Sequence, residues 1–263
     1  MELLVERGAD VNALWDGHYL IIFAPCETLQ AGALKWLIEH GANHNVTAQD
    51  GTSCVRMLVG TYSRNPEGKH GCLAVFADFG YQFPDTAPMA IHRGRIDLLA
   101  ACLARDPTLL DQPLSESEIF PAALGLDPGD GLHCAPLDGG TLLHMAVEFH
   151  EAEVVQWLIE RGADVNGRAA IDGDGFGGHT PLFHTTVTLG PKTDALARLL
   201  LAHGARPNDR ATFRKALRWE GDAEKERMRE YHDATAIDFA RQFQEPRFVN
   251  EAAIAAIREN GGQ

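Results

Sequence analysis

At 263 residues the chain can form one large domain or two ordinary ones, and its 45% hydrophobic content fits a folded globular protein. The formal charge of −14, with a pI near 5.2, opposes phosphate backbones and anionic bilayers, so neither nucleic acid nor membrane is an expected partner. No stretch approaches the roughly 18 unbroken apolar residues of a membrane span.

The N-terminus, Met1-Glu2-Leu3-Leu4-Val5-Glu6-Arg7, lacks the apolar centre and the small-residue cleavage site of a signal peptide. Five cysteines (Cys26, Cys54, Cys72, Cys102 and Cys134) follow no pairing rhythm, and their number is odd. Both features point to a reduced, cytoplasmic protein.

Reading along the chain, Gly8-Ala9-Asp10-Val11-Asn12 recurs as Gly41-Ala42-Asn43-His44-Asn45, as Gly162-Ala163-Asp164-Val165-Asn166 and as Gly204-Ala205-Arg206-Pro207-Asn208, the first two glycines 33 positions apart. Each copy follows an apolar run at helical spacing: Leu34, Trp36, Leu37 and Ile38; Val154, Trp157, Leu158 and Ile159; Leu196, Leu199, Leu200 and Leu201. Glycine just past such a run suits a helix C-terminus, because it enters the left-handed region without a Cβ penalty. A second element opens each unit. Gly140-Thr141-Leu142-Leu143-His144-Met145-Ala146 and His179-Thr180-Pro181-Leu182-Phe183-His184 are clear copies; Ala234-Thr235-Ala236-Ile237-Asp238 and Ala87-Pro88-Met89-Ala90-Ile91-His92 are looser ones. Threonine caps a helix start, and proline in the first turn lacks only a donor that would be orphaned anyway.

Together these elements resemble the ankyrin repeat, a turn–helix–helix unit of about 33 residues opening on Thr-Pro-Leu-His. The resemblance implies an all-α solenoid of about six repeats in a single domain over residues 1–263. Residues 1–12 are then the second half of a truncated repeat, three repeats fill 15–111, and 112–137 is an inserted loop. Two repeats fill 138–210, and 211–263 holds an insertion and a C-terminal capping repeat, with 211–232 read as a salt-bridged helix. No unit of such a stack buries its apolar face alone. A chain starting inside a second helix therefore implies either a start upstream of Met1 or an edge that meets a partner chain.

Two departures from the plain repeat attract function. Residues 112–137 carry Pro113, Pro121, Pro128 and Pro136, with Ser115-Glu116-Ser117-Glu118 as a capping box ahead of Ile119 and Phe120. Their apolar content predicts an ordered loop. The stretch Ala170-Ile171-Asp172-Gly173-Asp174-Gly175-Phe176-Gly177-Gly178-His179 predicts an extended, glycine-rich finger. These features, with the stretch from Arg229 to Val249, resemble a group of stand-alone bacterial ankyrin proteins with no assigned reaction. Ankyrin proteins bind partners with their fingers and first helices, the concave face. The resemblance thus implies partner-binding roles for Asp16, Tyr19, Glu118, Phe120, His133, Asp138, His144, Glu148, Asp172, Asp174, Phe176 and His179.

The chemistry-bearing residues have structural readings that outweigh catalytic ones. His144 and His184 fall at or beside the histidine of the opening element, and His40, His92 and His203 sit at helix ends. His133-Cys134 lacks a second pair at zinc spacing. Asp172-Gly173-Asp174-Gly175 starts like a calcium loop, but Phe183 stands where the twelfth-position carboxylate belongs. No cofactor or metal is expected. The leading expectation is a protein-interaction module with a basic or neutral protein partner, one version being an inhibitor that masks another enzyme. The rival is a hydrolase using carboxylates or His133 and Cys134 in the concave groove.

Overall fold

Helix formation follows the punctuation of the sequence. The computed structural model describes residues 2–15, 17–126, 133–217 and 227–263. The chain opens with α1 (Glu2–Glu6) and a short hairpin of β1 (Leu14–Trp15) and β2 (Tyr19–Leu20). Helix pairs follow: α2 (Phe23–Glu27) with α3 (Ala31–Glu39), α4 (Cys54–Val59) with α5 (Pro66–Asp78), and α6 (Ala87–His92) with α7 (Ile96–Arg105). After α8 (Glu116–Ile119) come α9 (Leu142–Glu148) with α10 (Ala152–Glu160) and α11 (Phe183–Thr186) with α12 (Ala195–Ala202). The antiparallel hairpin of β3 (Ala211–Leu217) and β4 (Arg227–Ala234) precedes α13 (Ala236–Gln242) and α14 (Glu251–Glu259). First helices pack on first helices (α2 on α4, α6 on α9, α9 on α11, α11 on α13), and second helices on second (α3 on α5, α12 on α14). This is a helical-repeat solenoid of the expected class. Among the described residues no helix is long and apolar enough to cross a membrane.

Caps explain where the helices start. Ser53 Oγ accepts from the Arg56 amide at 3.0 Å, Thr86 Oγ1 from Met89 at 3.3 Å and Thr235 Oγ1 from Asp238 at 3.1 Å. In the insertion, Glu118 reaches back to the Ser115 amide at 2.7 Å, the reciprocal half of the expected capping box.

The asparagines of the repeated pentapeptide hold one unit to the next. Asn12 donates from Nδ2 to the Gly41 carbonyl and accepts from the Asn43 amide. Asn166 does the same with Gly204 and Arg206, and Asn208 with Gly261 and Gln263. Each glycine's left-handed φ, such as +91° at Gly41 and +90° at Gly204, aims its carbonyl at that donor. Asp111 occupies the equivalent place ahead of Gly162: it accepts from the Asp164 amide at 3.2 Å, but a carboxylate has no proton to donate onward.

The structure corrects the reading of 211–232. Instead of a salt-bridged helix, its described residues form the β3–β4 hairpin, and the charges at 218–226 lie outside the described residues. Packing decides the outcome. Phe213 and Tyr231 stack across the strands at 5.1 Å and are buried against Phe183 and Phe239. Alternating side chains with apolar members on one face serve a strand better than a helix. Arg214, expected to pair along the helix, instead reaches the glycine-rich finger.

Asp111→Asn supplies the missing donor toward the Gly162 carbonyl. It is expected to stabilise the protein by about 1 kcal/mol, read as a higher urea midpoint at unchanged m-value.

Candidate interaction surface

The predicted partner-binding residues separate sharply by burial. Glu118, Asp138, Asp172 and Asp174 are exposed, and Tyr19, His133 and Phe176 are half-buried. Asp16 lies outside the described residues. Phe120, His144, Glu148 and His179 are no more than 2% exposed and cannot touch a partner, which corrects their assignment. The reason is that the insertion and the β3–β4 hairpin cover the first helices where an open groove was expected. Every residue of α6 and α9 is buried.

Phe120 packs against His92 and Phe149, with ring centroids 5.9 and 6.4 Å away. His144 is a structural link: Nδ1 accepts from the Thr141 amide at 3.0 Å, and Nε2 donates to the His179 carbonyl at 3.1 Å. His179 in turn donates from Nε2 to the Pro136 carbonyl at 2.9 Å. Burial, then the neighbouring imidazoles, pushes His144 well below the usual histidine range and His179 down to about 3, so both are neutral near pH 7. Burial likewise takes His150 down to about 4 and His92 well below its ordinary value.

Glu148 is the buried centre of this region. Its Oε1 accepts from Arg64 Nη2 and from the Cys134 amide, both at 2.8 Å, and its Oε2 accepts from His184 Nδ1 at 2.8 Å. Arg64 Nε also donates to the Glu148 backbone carbonyl at 2.8 Å. Burial alone would raise this carboxyl, but the His184 hydrogen bond and the Arg64 charge outweigh it and hold the group ionised. Arg64 was invisible to sequence reasoning, because it comes from an irregular loop 84 residues away. Cys134 is buried, which pushes its thiol up to about 12, well above the range in which a thiolate forms near neutral pH.

What remains outward is a row of hairpin tips. At the N-terminal side Tyr19 donates to Asp50 Oδ2 at 2.6 Å, beside an open cavity of about 410 Å³ lined by His18, Tyr19, Ala48, Gln49 and Asp50. That hydrogen bond, helped by the Thr52 amide, lowers the Asp50 carboxyl from its ordinary value. In the middle, Asp138 accepts from the Glu116 amide at 3.0 Å and so ties its tip to the insertion. The glycine-rich finger is closed on itself and on β3. Asp172 Oδ1 accepts from the amides of Asp174 and Phe176, and Arg214 Nη2 reaches both Asp172 Oδ2 and Asp174 Oδ2 at 2.8 Å. The same guanidinium lies 4.8 Å from the Phe176 ring centroid. The Gly177 amide donates to the Thr212 carbonyl, and a Cβ at this glycine would meet the Ala170 carbonyl oxygen at 2.1 Å.

A family model for ankyrin repeats (3 copies) matches residues 46–211. Similar solved structures include the human ASB11 ankyrin repeat domain, at 18% identity over 100% of this chain and 92% of that one, with a TM-score of 0.40. The ankyrin repeat domain of Bcl-3, a member of the IkappaB protein family, is 15% identical over 98% of this chain and 90% of that one, with a TM-score of 0.35. No curated protein matches the sequence.

Two measurements check the buried centre. Glu148→Ala removes the carboxylate shared by Arg64 and His184 and is expected to cost about 3–5 kcal/mol in urea unfolding. The second is a pH series. Because the folded-state affinities of His92, His144, His150 and His179 for protons are depressed below their ordinary 6.5, the unfolded chain takes up more protons in acid. Their contribution to stability is therefore complete above pH 6.5 and is lost as the pH falls through that value, so the urea midpoint should drop between pH 7.5 and pH 5.

Proposed function

Since the chain belongs to the ankyrin-repeat family, whose domains generally mediate protein–protein interactions, we propose that it is a binding module that engages its partner through its exposed hairpin tips rather than through a first-helix groove. The observation that carries this reading is the complete burial of α6 and α9 beneath the insertion, which leaves the tips as the accessible part of the expected surface. Tyr19, Asp138, Asp172, Asp174 and Phe176 are the contacts proposed, with Glu118 and His133 contributed by the insertion. All belong to one domain over residues 1–263.

A partner with a basic or neutral face suits this surface, because the chain carries a net charge of −14 and four of the seven contacts are carboxylates. Tyr19 and Phe176 supply the aromatic anchors that concentrate binding energy in interfaces. Residence in a bacterial cytoplasm belongs to the same reading, supported by five free, buried cysteines and by the likeness of the insertion and finger to stand-alone bacterial ankyrin proteins.

The test is an affinity pull-down from source lysate with the parent and a Tyr19→Ala, Asp138→Ala, Phe176→Ala variant. A stoichiometric partner should be retained by the parent and weakened at least tenfold in the variant. Phe120→Ala serves as the contrast: about 3–5 kcal/mol less stable, yet equal to the parent in binding below its melting temperature. Equal retention by the parent and the tip variant would rule these tips out as the contact surface.

A further inference from the structure

Residues 114–126 of the insertion lie across the first helices as a strap. At one end the Leu114 amide donates to the Gly140 carbonyl and the Leu114 carbonyl accepts from the Gly139 amide, both at 2.7 Å. Further along, Leu114, Ile119, Phe120, Leu124 and Leu126 are buried. The deep polar fastening of this strap is to one imidazole: the Ile119 carbonyl accepts from His92 Nε2 at 2.9 Å.

The other nitrogen of that imidazole fixes its protonation. His92 Nδ1 lies 2.7 Å from Lys69 Nζ. Burial lowers Lys69 to about 7, so in mild acid it is an ammonium that can only donate; Nδ1 then accepts, and His92 serves Lys69 and Ile119 together only as the neutral Nε2–H tautomer. A proton on Nδ1 turns that acceptor into a donor aimed at another donor. It also sets two cations side by side in a place where neither group meets water, His92 being 0% and Lys69 3% exposed.

Among the described residues no carboxylate hydrogen-bonds to His92 or Lys69, although the Glu151 charge lies close enough to favour the Lys69 cation. From α5 come Lys69 and His70, and from the loop ahead of it Arg64, whose guanidinium is bound to Glu148. Glu151, just ahead of α10, is bound to His70 at 2.9 Å. The turn between α9 and α10 presents the Phe149 ring, over which both Arg64 and Lys69 already lie, at 4.9 and 4.7 Å from its centroid. From α8 come the Ile119 carbonyl and the Phe120 ring. Opening the strap instead exposes His92 to water, where it takes up a proton with an ordinary affinity.

We propose that His92 is an acid-operated latch, whose protonation at Nδ1 against Lys69 releases residues 114–126 from the solenoid while the helix pairs stay folded. Glu118 rides on this strap, so the latch would rearrange part of the proposed contact surface, but it stands independently of partner binding. One proton taken up only by the open form, with an ordinary histidine affinity, favours opening roughly tenfold more at pH 5.5 than at pH 7.5.

Hydrogen exchange on the full chain at pH 7.5 and 5.5, normalised to intrinsic rates, tests this. Amides of 114–126 should lose about tenfold in protection at pH 5.5, under conditions where the chain stays folded at both values. His92→Gln can still donate to Ile119 and accept from Lys69 but cannot titrate, so its strap should be equally protected at both values. Should that variant not fold, Lys69→Glu replaces the opposing cation with a carboxylate to which a protonated Nδ1 can donate, and should shrink the acid response to less than threefold. The latch is refuted by a strap whose protection ignores pH or by an undiminished acid response in either variant.

Discussion

A single buried carboxylate joins three distant parts of this molecule. Glu148 is 2% exposed, a position where an ionised group survives only if its lone pairs are occupied by strong donors. Arg64, His184 and the Cys134 amide supply them from three separate places in the chain. Arg64 comes from the loop between α4 and α5, His184 from α11 and Cys134 from the end of the insertion, so one side chain fixes the mutual placement of all three. Such a centre adds little net stability over an apolar replacement, since desolvation offsets most of the attraction. What it does impose is uniqueness: any arrangement that separates these donors strands a charge out of water.

The consequence is a solenoid that departs from nearest-neighbour logic. Repeat stacks ordinarily owe their stability to contacts between adjacent units, so each unit feels only its two neighbours. Here Arg64 joins the α4–α5 pair to α9, passing over the intervening α6–α7 pair, and His70 makes the same crossing to Glu151. The first helices are further bridged by the insertion, through His92 to Ile119 and through His179 to Pro136. These long-range bonds give the chain a core more like that of a globular domain than of a linear array. The insertion fills the space an open groove would use, which is why the accessible surface shifts to the hairpin tips.

Much of the repeat architecture was legible because its signals are local. Glycine past an apolar helical run and threonine at a helix start are each read from a handful of adjacent residues, and Gly41, Gly204, Thr86 and Thr235 do in the structure what their chemistry requires. The tips Tyr19, Asp138, Asp172 and Asp174 were legible as surface for the same reason. The buried members of the expected site were not. Phe120 lies in the insertion and packs inward on His92 and Phe149, while Glu148 and His179 are bound by Cys134 and Pro136 at the end of that insertion, and His144 by the His179 carbonyl. Arg64 gave no signal, since nothing near it in sequence hints at a carboxylate 84 residues away. The 211–217 and 227–234 strands were misread because mixed charges suit an exposed helix as well as an exposed strand face. The deciding fact, that Phe213 and Tyr231 stack together over Phe183 and Phe239, is tertiary.

The same additions that close the groove also stiffen what remains outside it. Arg214 holds Asp172 and Asp174 while lying on Phe176, so the finger is braced by β3. Asp138 is tied to the insertion through the Glu116 amide, and Tyr19 to the next tip through Asp50. Each tie removes conformational freedom that binding would otherwise have to remove, which favours affinity without any added contact. Each also neutralises or engages a carboxylate, reducing the bare charge a partner meets. The surface is therefore best described as preorganised and only moderately acidic. Recognition on it would depend more on the fixed positions of Tyr19 and Phe176 than on the overall negative charge of the chain.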